Sequence, residues 1–329
     1  MSTADVYTEL RPLMFAIAYR MLGSVSEAED IVQEAFLRYH RAQSGQAGAG
    51  EKAGGTTRVD SPKAYLSAVT TRLCIDYLRS ARARREAYLG EWLPEPLLTG
   101  EAQRAGSPLF ADHAGADPGG LAEQADSLSM AFLLLLERLT PVERAVFLLH
   151  DVFGYDYDEI SGIVKKSPDN CRQLALRARR HVNEQKPRFE ASRSKREELA
   201  TRFFSAVGSG DMDGLVSMLA ADVVVYGDSG GIPPSWPRPI VGRDPVSRLL
   251  VGIANQMQQA GVTIQLAEFN GQAGARLVGP DGRLISVFVL DIADGQVQTV
   301  RSVINPDKLR HLGPLADVQA LRQHLRPPA

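Results

Sequence analysis

Cysteine is scarce. Cys74 and Cys171 are the two in 329 residues, too few for a zinc site, and both fall on apolar helical faces far apart in the chain. Buried reduced thiols are therefore expected rather than a disulfide framework. Long apolar runs are missing too: no stretch of 18 apolar residues occurs, and the opening MSTADVYTELRP lacks the basic-then-apolar order of a secretion signal. The expectation is a cytoplasmic protein with no membrane contact. Of six histidines none lies between Thr201 and Asn305, which removes the commonest general base from that part of the chain. No metal, cofactor or catalytic residue is expected.

Charge of one sign is also missing, with a net of −2, but the balance is uneven along the chain. Residues 161–196 hold eleven Lys/Arg against three Asp/Glu, the footprint expected of phosphate binding. Residues 155–182, YDYDEISGIVKKSPDNCRQLALRARRHV, read as two short helices joined by a tight turn. Asp156 and Glu159 form a capping box, after which Tyr157, Ile160, Ile163 and Val164 line one face. Ser167 suits the N-cap of the second helix, Pro168 its first position, and Asp169 the positive end of its dipole. Cys171, Leu174, Ala175, Ala178 and Val182 then recur at helical spacing, leaving Asn170, Arg172, Gln173, Arg177 and Arg180 outside. This is a helix-turn-helix with a hydrogen-bonding, basic outer face, fit to pair with guanine and adenine edges in a major groove. Lys165 and Lys166 in the turn suit phosphates of any sequence. A solvated face would explain an isolated Arg-rich helix; the local excess of positive charge decides against it.

Residues 1–42 read as two helices. Leu10, Leu13, Met14, Ile17, Ala18 and Met21 form the first stripe, ended by Gly23, and Ser26 with Glu29 makes a capping box for the second. The outer face of that second helix carries Asp30, Gln33, Glu34 and Leu37 at i, i+3, i+4 and i+7. An acidic stripe closed by an apolar residue that the helix cannot itself bury favours a protein partner. Residues 43–57 are Gly/Ala-rich and read as a mobile loop. A third helix begins at Ser61-Pro62, packed inward by Leu66, Val69, Leu73 and Tyr77. Its Arg72, Arg79 and Arg82 can follow a phosphate backbone, with Tyr65 or Tyr77 available to stack on bases.

The order EDIVQEAFLRYHRA, then SPKAYLSAVTTRLCIDYLRSARARRE, then LTPVERAVFLLHDVFGYDYDEIS and the helix-turn-helix resembles a bacterial RNA polymerase sigma factor of the extracytoplasmic-function (ECF) group of the sigma-70 family. The resemblance spans roughly residues 8–185. GEWLPEPL at 90–97, NPDKL at 305–309 and the long extension resemble the subgroup that ends in a SnoaL-like, NTF2-like domain. By that resemblance Asp30, Gln33, Glu34 and Leu37 meet the core polymerase, whose beta-prime clamp and beta flap are the implied partners. Tyr65, Arg72, Tyr77, Arg79 and Arg82 would hold the −10 promoter element. Lys165, Lys166, Ser167, Asn170, Arg172, Gln173, Arg177 and Arg180 would read the −35 element. Asp228, Gly230, Gly231 and Asn305, Pro306, Asp307, Lys308 and Leu309 would be regulatory. The chain departs from the pattern at Lys165 and Ser229, where relatives commonly carry glycine, and in the insert at 43–57.

Residues 98–125 lack periodicity and read as a linker, and the second helical domain opens with MAFLLLLERL. After PRFEASRSKREE, helical segments at 197–207 and 212–220 lead to DVVVYGD, a Pro/Gly loop, a helix from Asp244 to about Met257, and four strand-like runs with turns at 280–282 and 294–295. The expected fold is two all-α domains, the second with the helix-turn-helix, followed by an α+β NTF2-like cone with helices in the sheet's concavity. The expected boundaries are 1–88, a linker at 89–125, 126–186, a tether at 187–197, 198–305 and a tail at 306–329. Tyr226, Asp228, Trp236 and Glu268 are candidates for a pocket in the cone, although fold does not imply catalysis. The leading reading is a promoter-specificity subunit of RNA polymerase, modulated by its own C-terminal domain. The alternative is a stand-alone helix-turn-helix regulator with a small-molecule-sensing cone whose ligand is unknown.

Overall fold

The computed structural model describes residues 3–44, 59–86, 88, 90–100, 127–184, 192–232 and 238–317, without the side chains of 81–86. Trp236, nearly all of the expected loop at 43–57, most of the linker at 98–125 and the first part of the tether, 187–191, lie outside the described residues. The chain separates into two compact units: Met1–Arg84, Glu101–Leu128 and Phe132–Lys186 form the first, and Arg85–Gly100, Ser129–Ala131 and Pro187–Ala329 the second.

The described part of the first unit is helical. Helices α1 (Thr3–Leu22) and α2 (Val25–Gln43) pack against each other, turning at Gly23, whose φ of 65° is the left-handed conformation glycine adopts without strain. Ser24, not Ser26, is the N-cap of α2, accepting from the Glu27 amide at 3.2 Å. The expected box does not form because the helix starts at Val25, which puts Ser26 inside its first turn; Glu29 pairs instead with Arg11, 2.6 Å distant. Helix α3 (Pro62–Glu86) buries Leu66, Val69, Cys74, Ile75 and Leu78, while Leu73 and Tyr77, expected inward, stay half-exposed. Helices α4 (Met130–Leu136), α5 (Pro141–Phe147, continued by a π-helical turn Leu148–Val152), α6 (Tyr157–Val164) and α7 (Pro168–Asn183) follow. The boxes Thr140/Glu143 and Asp156/Glu159 start α5 and α6 with both reciprocal hydrogen bonds formed.

Two buried arginines join these helices. Arg20 of α1 is 2% exposed; its Nε donates to Ser127 Oγ at 3.3 Å and its guanidinium lies 5.5 Å from the centre of the Phe153 ring. Arg144 of α5 donates to the carbonyls of Leu136 (2.8 Å) and Met21 (2.6 Å) and pairs with Glu137. Met21 lies in the last turn of α1, where carbonyls lack helical partners. Burial pulls the pKa of Arg144 down to about 9, which leaves it charged at neutral pH.

The second unit contains a six-stranded sheet of β1 (Leu219–Asp228), β2 (Ile240–Val241), β3 (Thr263–Phe269), β4 (Gln272–Val278), β5 (Leu284–Ala293) and β6 (Gln296–Val303), in the order β2-β1-β6-β5-β4-β3. Helices α8 (Arg193–Ser209), α9 (Met212–Met218) and α10 (Arg243–Gln259) supply Phe203, Phe204, Leu215, Val246 and Leu250 to a core shared with Val225, Ala275, Phe288, Leu290 and Val300. The expected antiparallel meander is β3 to β6. β1 instead joins β6 in parallel, a pairing no turn signal announces. Asn270-Gly271 and Asp294-Gly295 close their hairpins with positive φ at all four residues.

Candidate nucleic-acid interface

Helix α7 displays its outer face as its spacing implies. Ser167 accepts from the Asn170 amide at 3.3 Å, and the buried side is Cys171, Leu174, Ala175, Ala178 and Val182. Asn170, Arg172, Gln173, Arg177 and Arg180 are exposed, as are Lys165 and Lys166. Lys165 takes φ 54° and ψ 50°, so the turn keeps its left-handed geometry without the usual glycine. Arg172 is held by Asp169 at 2.6 Å and lies over the Tyr157 ring; Arg177 reaches Glu143 at 3.3 Å. Arg179 is turned to Asp151 and is not part of the outward stripe. Leu176, passed over in the sequence, stands 50% exposed among these polar side chains. Its position three residues after Gln173 could have marked it.

On α2, Asp30 and Gln33 are exposed, Glu34 is paired with Arg38 at 2.7 Å, and Leu37 is 51% exposed. On α3, Tyr65 lies half-buried 6.0 Å from the Tyr39 ring, Tyr77 is half-buried, and Arg79 is exposed beside Asp76. The side chain of Arg82 lies outside the described part. Arg72 is occupied: Nε donates to the Ile163 carbonyl at 2.8 Å and Nη2 to that of Gly162 at 2.6 Å. Those carbonyls end α6, the first helix of the helix-turn-helix, where no intrahelical donor remains. Beside this contact Ser67 and Tyr155 share a 2.7 Å hydrogen bond, so α3 and the helix-turn-helix domain are bonded together. Burial pushes both cysteine thiols up in pKa, so neither is a reactive thiolate.

The expected regulatory residues converge in the second unit. Asp228, 0% exposed at the end of β1, accepts from Lys308 Nζ (2.6 Å), the Leu93 amide (2.8 Å), the Gly230 amide (3.1 Å) and the Tyr88 hydroxyl. Lys308 Nζ also donates to the Leu93 carbonyl and sits 4.9 and 4.4 Å from the centres of the Tyr88 and Trp92 rings. Asn305 donates to the Tyr88 oxygen at 2.9 Å and caps Asp307, while Leu309 is buried. Burial, and next the hydrogen bond to Asp228, pushes the Tyr88 hydroxyl up in pKa and keeps it a donor. Gly230, at φ 62°, could carry no Cβ, which would stand 2.7 Å from Asn305 Nδ2; Gly231 is also left-handed, at φ 79°. A second clip lies at the sheet edge, where Leu98 bridges Phe269 and Thr99 donates to the Glu268 carbonyl at 2.9 Å.

The pocket expected from Tyr226, Asp228, Trp236 and Glu268 does not form among the described residues. Asp228 is enclosed with Lys308, Glu268 bonds Thr99 and Arg193, and Tyr226 lies beside Arg301. The physical reason is alternation: Tyr226 and Asp228 share a sheet face opposite the one that Val225 turns to the core. A cavity of about 340 Å³ does open between α8, α10 and β3, but Phe203, Phe204, Leu250, Met257 and Ile264 line it without any titratable group.

Comparison with known proteins agrees with this geometry. Family models described as "Sigma-70 region 2" and "Sigma-70, region 4" match residues 6–84 and 129–182. The ECF RNA polymerase sigma factor SigJ of Mycobacterium tuberculosis is 36% identical over 313 residues, covering 92% of this chain and 91% of the relative. A probable ECF RNA polymerase sigma factor SigI from the same species is 30% identical over 299 residues, covering 91% and 92%. The crystal structure of SigJ superposes with a TM-score of 0.70 at 33% identity, over 95% of this chain and 100% of that one. Two sigma-70 regions in order, a shared extension and a shared fold along nearly the whole length place the chain in the ECF RNA polymerase sigma factor family, whose members bind core polymerase and promoter DNA to initiate transcription.

Proposed function

We propose that the chain works in two arrangements. In the open one α2 meets the core polymerase through Asp30, Gln33, Glu34 and Leu37, α3 holds the −10 strand, and α7 reads the −35 duplex. In the closed one, α3 and α6 are bonded to each other. The observation that carries this reading is Arg72: while its Nε and Nη2 donate to the Ile163 and Gly162 carbonyls, that edge of the guanidinium is turned to α6 and not to a DNA phosphate. Opening removes those bonds, so core enzyme and promoter must supply at least their free energy, about 1–2 kcal/mol for a half-exposed pair of charge-assisted bonds.

The cone acts as the regulatory part and not as an enzyme. The cavity between α8, α10 and β3 lacks an acid or base, and Asp228 and Glu268 are bonded to other partners. The cone holds Tyr88 and Leu93 through the Asp228–Lys308 clasp, and Leu98 and Thr99 at the sheet edge. The site of action is the cytoplasm, where core polymerase lies; no helix among the described residues is long and apolar enough to cross a membrane. Fluorescent labels on α3 and α7 test the two arrangements. Their separation is expected to be short in the free chain and to lengthen on binding core enzyme. A separation that stays short in active holoenzyme rejects the reading.

A further inference from the structure

Helix α7 turns one stripe directly away from its buried side: Asp169, Gln173, Leu176 and Arg180, at i, i+4, i+7 and i+11. Three of the four are polar or charged. Leu176 is an aliphatic side chain, 50% exposed, with Arg172 and Gln173 one turn before it and Arg180 one turn after. It is not one of the residues of the buried side, which are Cys171, Leu174, Ala175, Ala178 and Val182. Leucine is a good helix former, and that alone would permit it anywhere on an exposed face. Its place at the centre of the face turned to DNA gives it a chemical use. The major-groove edge of thymine carries the one apolar group that any base presents there, the C5 methyl.

We propose that Leu176 reads the C5 methyl of a thymine in the upstream promoter element and so sets specificity at that position. The inference rests on the reading of α7 as the −35 helix and adds a contact to it. Gln173 and Leu176 are three residues apart, about 4.5 Å along the helix axis, against about 3.4 Å between successive base pairs. The thymine therefore belongs to the base pair next to the one Gln173 reaches. At 50% exposure the side chain can be truncated at little cost to the fold.

The test uses holoenzyme assembled from full-length chain and purified core. Promoters randomised over the upstream element are selected for binding with the wild type, Leu176→Ala, Gln173→Ala and Arg180→Ala. The wild type is expected to enrich thymine at one position beside that lost in Gln173→Ala, and Leu176→Ala to lose the preference at that position alone. Replacing this thymine by deoxyuridine, which deletes only the methyl, should weaken wild-type binding about fourfold, the effect of one buried methyl group, and leave Leu176→Ala unchanged. An equal loss in both proteins, or an undiminished thymine preference in Leu176→Ala, overturns the inference while α7 remains the reading helix. If Gln173→Ala and Arg180→Ala also select the wild-type sequence, α7 does not read the duplex and both readings fall. Unchanged thermal unfolding of Leu176→Ala excludes loss of fold as the cause of a weaker preference.

Discussion

At Lys308 one ammonium group ties together residues 80 and 215 positions away in the chain, Asp228 and Leu93, and lies against two aromatic rings. A buried pair of this kind gains little over an apolar substitute, but removing one partner strands the other charge. Lys308→Met is therefore expected to destabilise the second unit by roughly 3–5 kcal/mol, and Asp228→Asn in the same background to recover part of the loss. Denaturant unfolding followed by Trp92 fluorescence measures both; a double variant no more stable than the single one contradicts the pairing. Arg72→Ala is expected to lengthen the α3–α7 separation in the free chain and also to weaken binding of a −10 single strand, because one side chain serves both arrangements. A loss of strand binding with an unchanged separation assigns Arg72 to DNA alone. The sequence marked Arg72, Asp228 and Lys308 as functional, but it could not show what each one touches, because the partners are distant in the chain and two of Arg72's are backbone carbonyls without a residue signature.

Among the elements, the capped helices were the most legible. Ser167-Pro168 and Asp156/Glu159 mark their starts with groups that bond within three residues, so the signal and the structure are equally local. Ser26/Glu29 misled because Ser24, two residues earlier, offers the same hydroxyl and caps the helix, while Glu29 pairs with Arg11, 18 residues away. In the turn between α6 and α7, Lys165→Gly should relieve the left-handed strain and raise stability by about 1 kcal/mol. It should also reduce the steepness of the salt dependence of promoter binding by about one phosphate contact if Lys165 faces the backbone. Equal salt slopes in wild type and variant show that it does not. On α2, reversing the exposed charge in Asp30→Arg should leave thermal stability unchanged within about 0.5 kcal/mol and weaken core-polymerase binding. Full affinity at low salt places the core contact elsewhere.

For the whole molecule, the unexpected division is that residues 85–100 and 129–131 belong with the C-terminal unit although in sequence they lie between segments of the helical one. Stopping the chain at Gln185 deletes the partners of Leu93, Leu97 and Thr99 on Asp228, Asn270 and Glu268, while stopping it at Ile304 deletes Lys308 and leaves Asp228 without its ion-pair partner. Promoter-specific transcription with purified core is expected to differ among full length and the two truncations; three equal outputs mean that the cone does not act on the sigma regions. By itself the sequence determined the helix-turn-helix, the acidic face of α2, the meander β3 to β6 and the family, because caps, 3.6-residue and two-residue periods and ordered motifs are written in neighbouring residues. Only the tertiary structure decided that β1 lies parallel to β6, that Asp228 is enclosed with Lys308, and that Arg72 is bonded to the end of α6. Each of those depends on groups brought together across 70 to 90 residues or more. Burial and partner choice at such distances are set by how whole units pack, a quantity that no local spacing encodes.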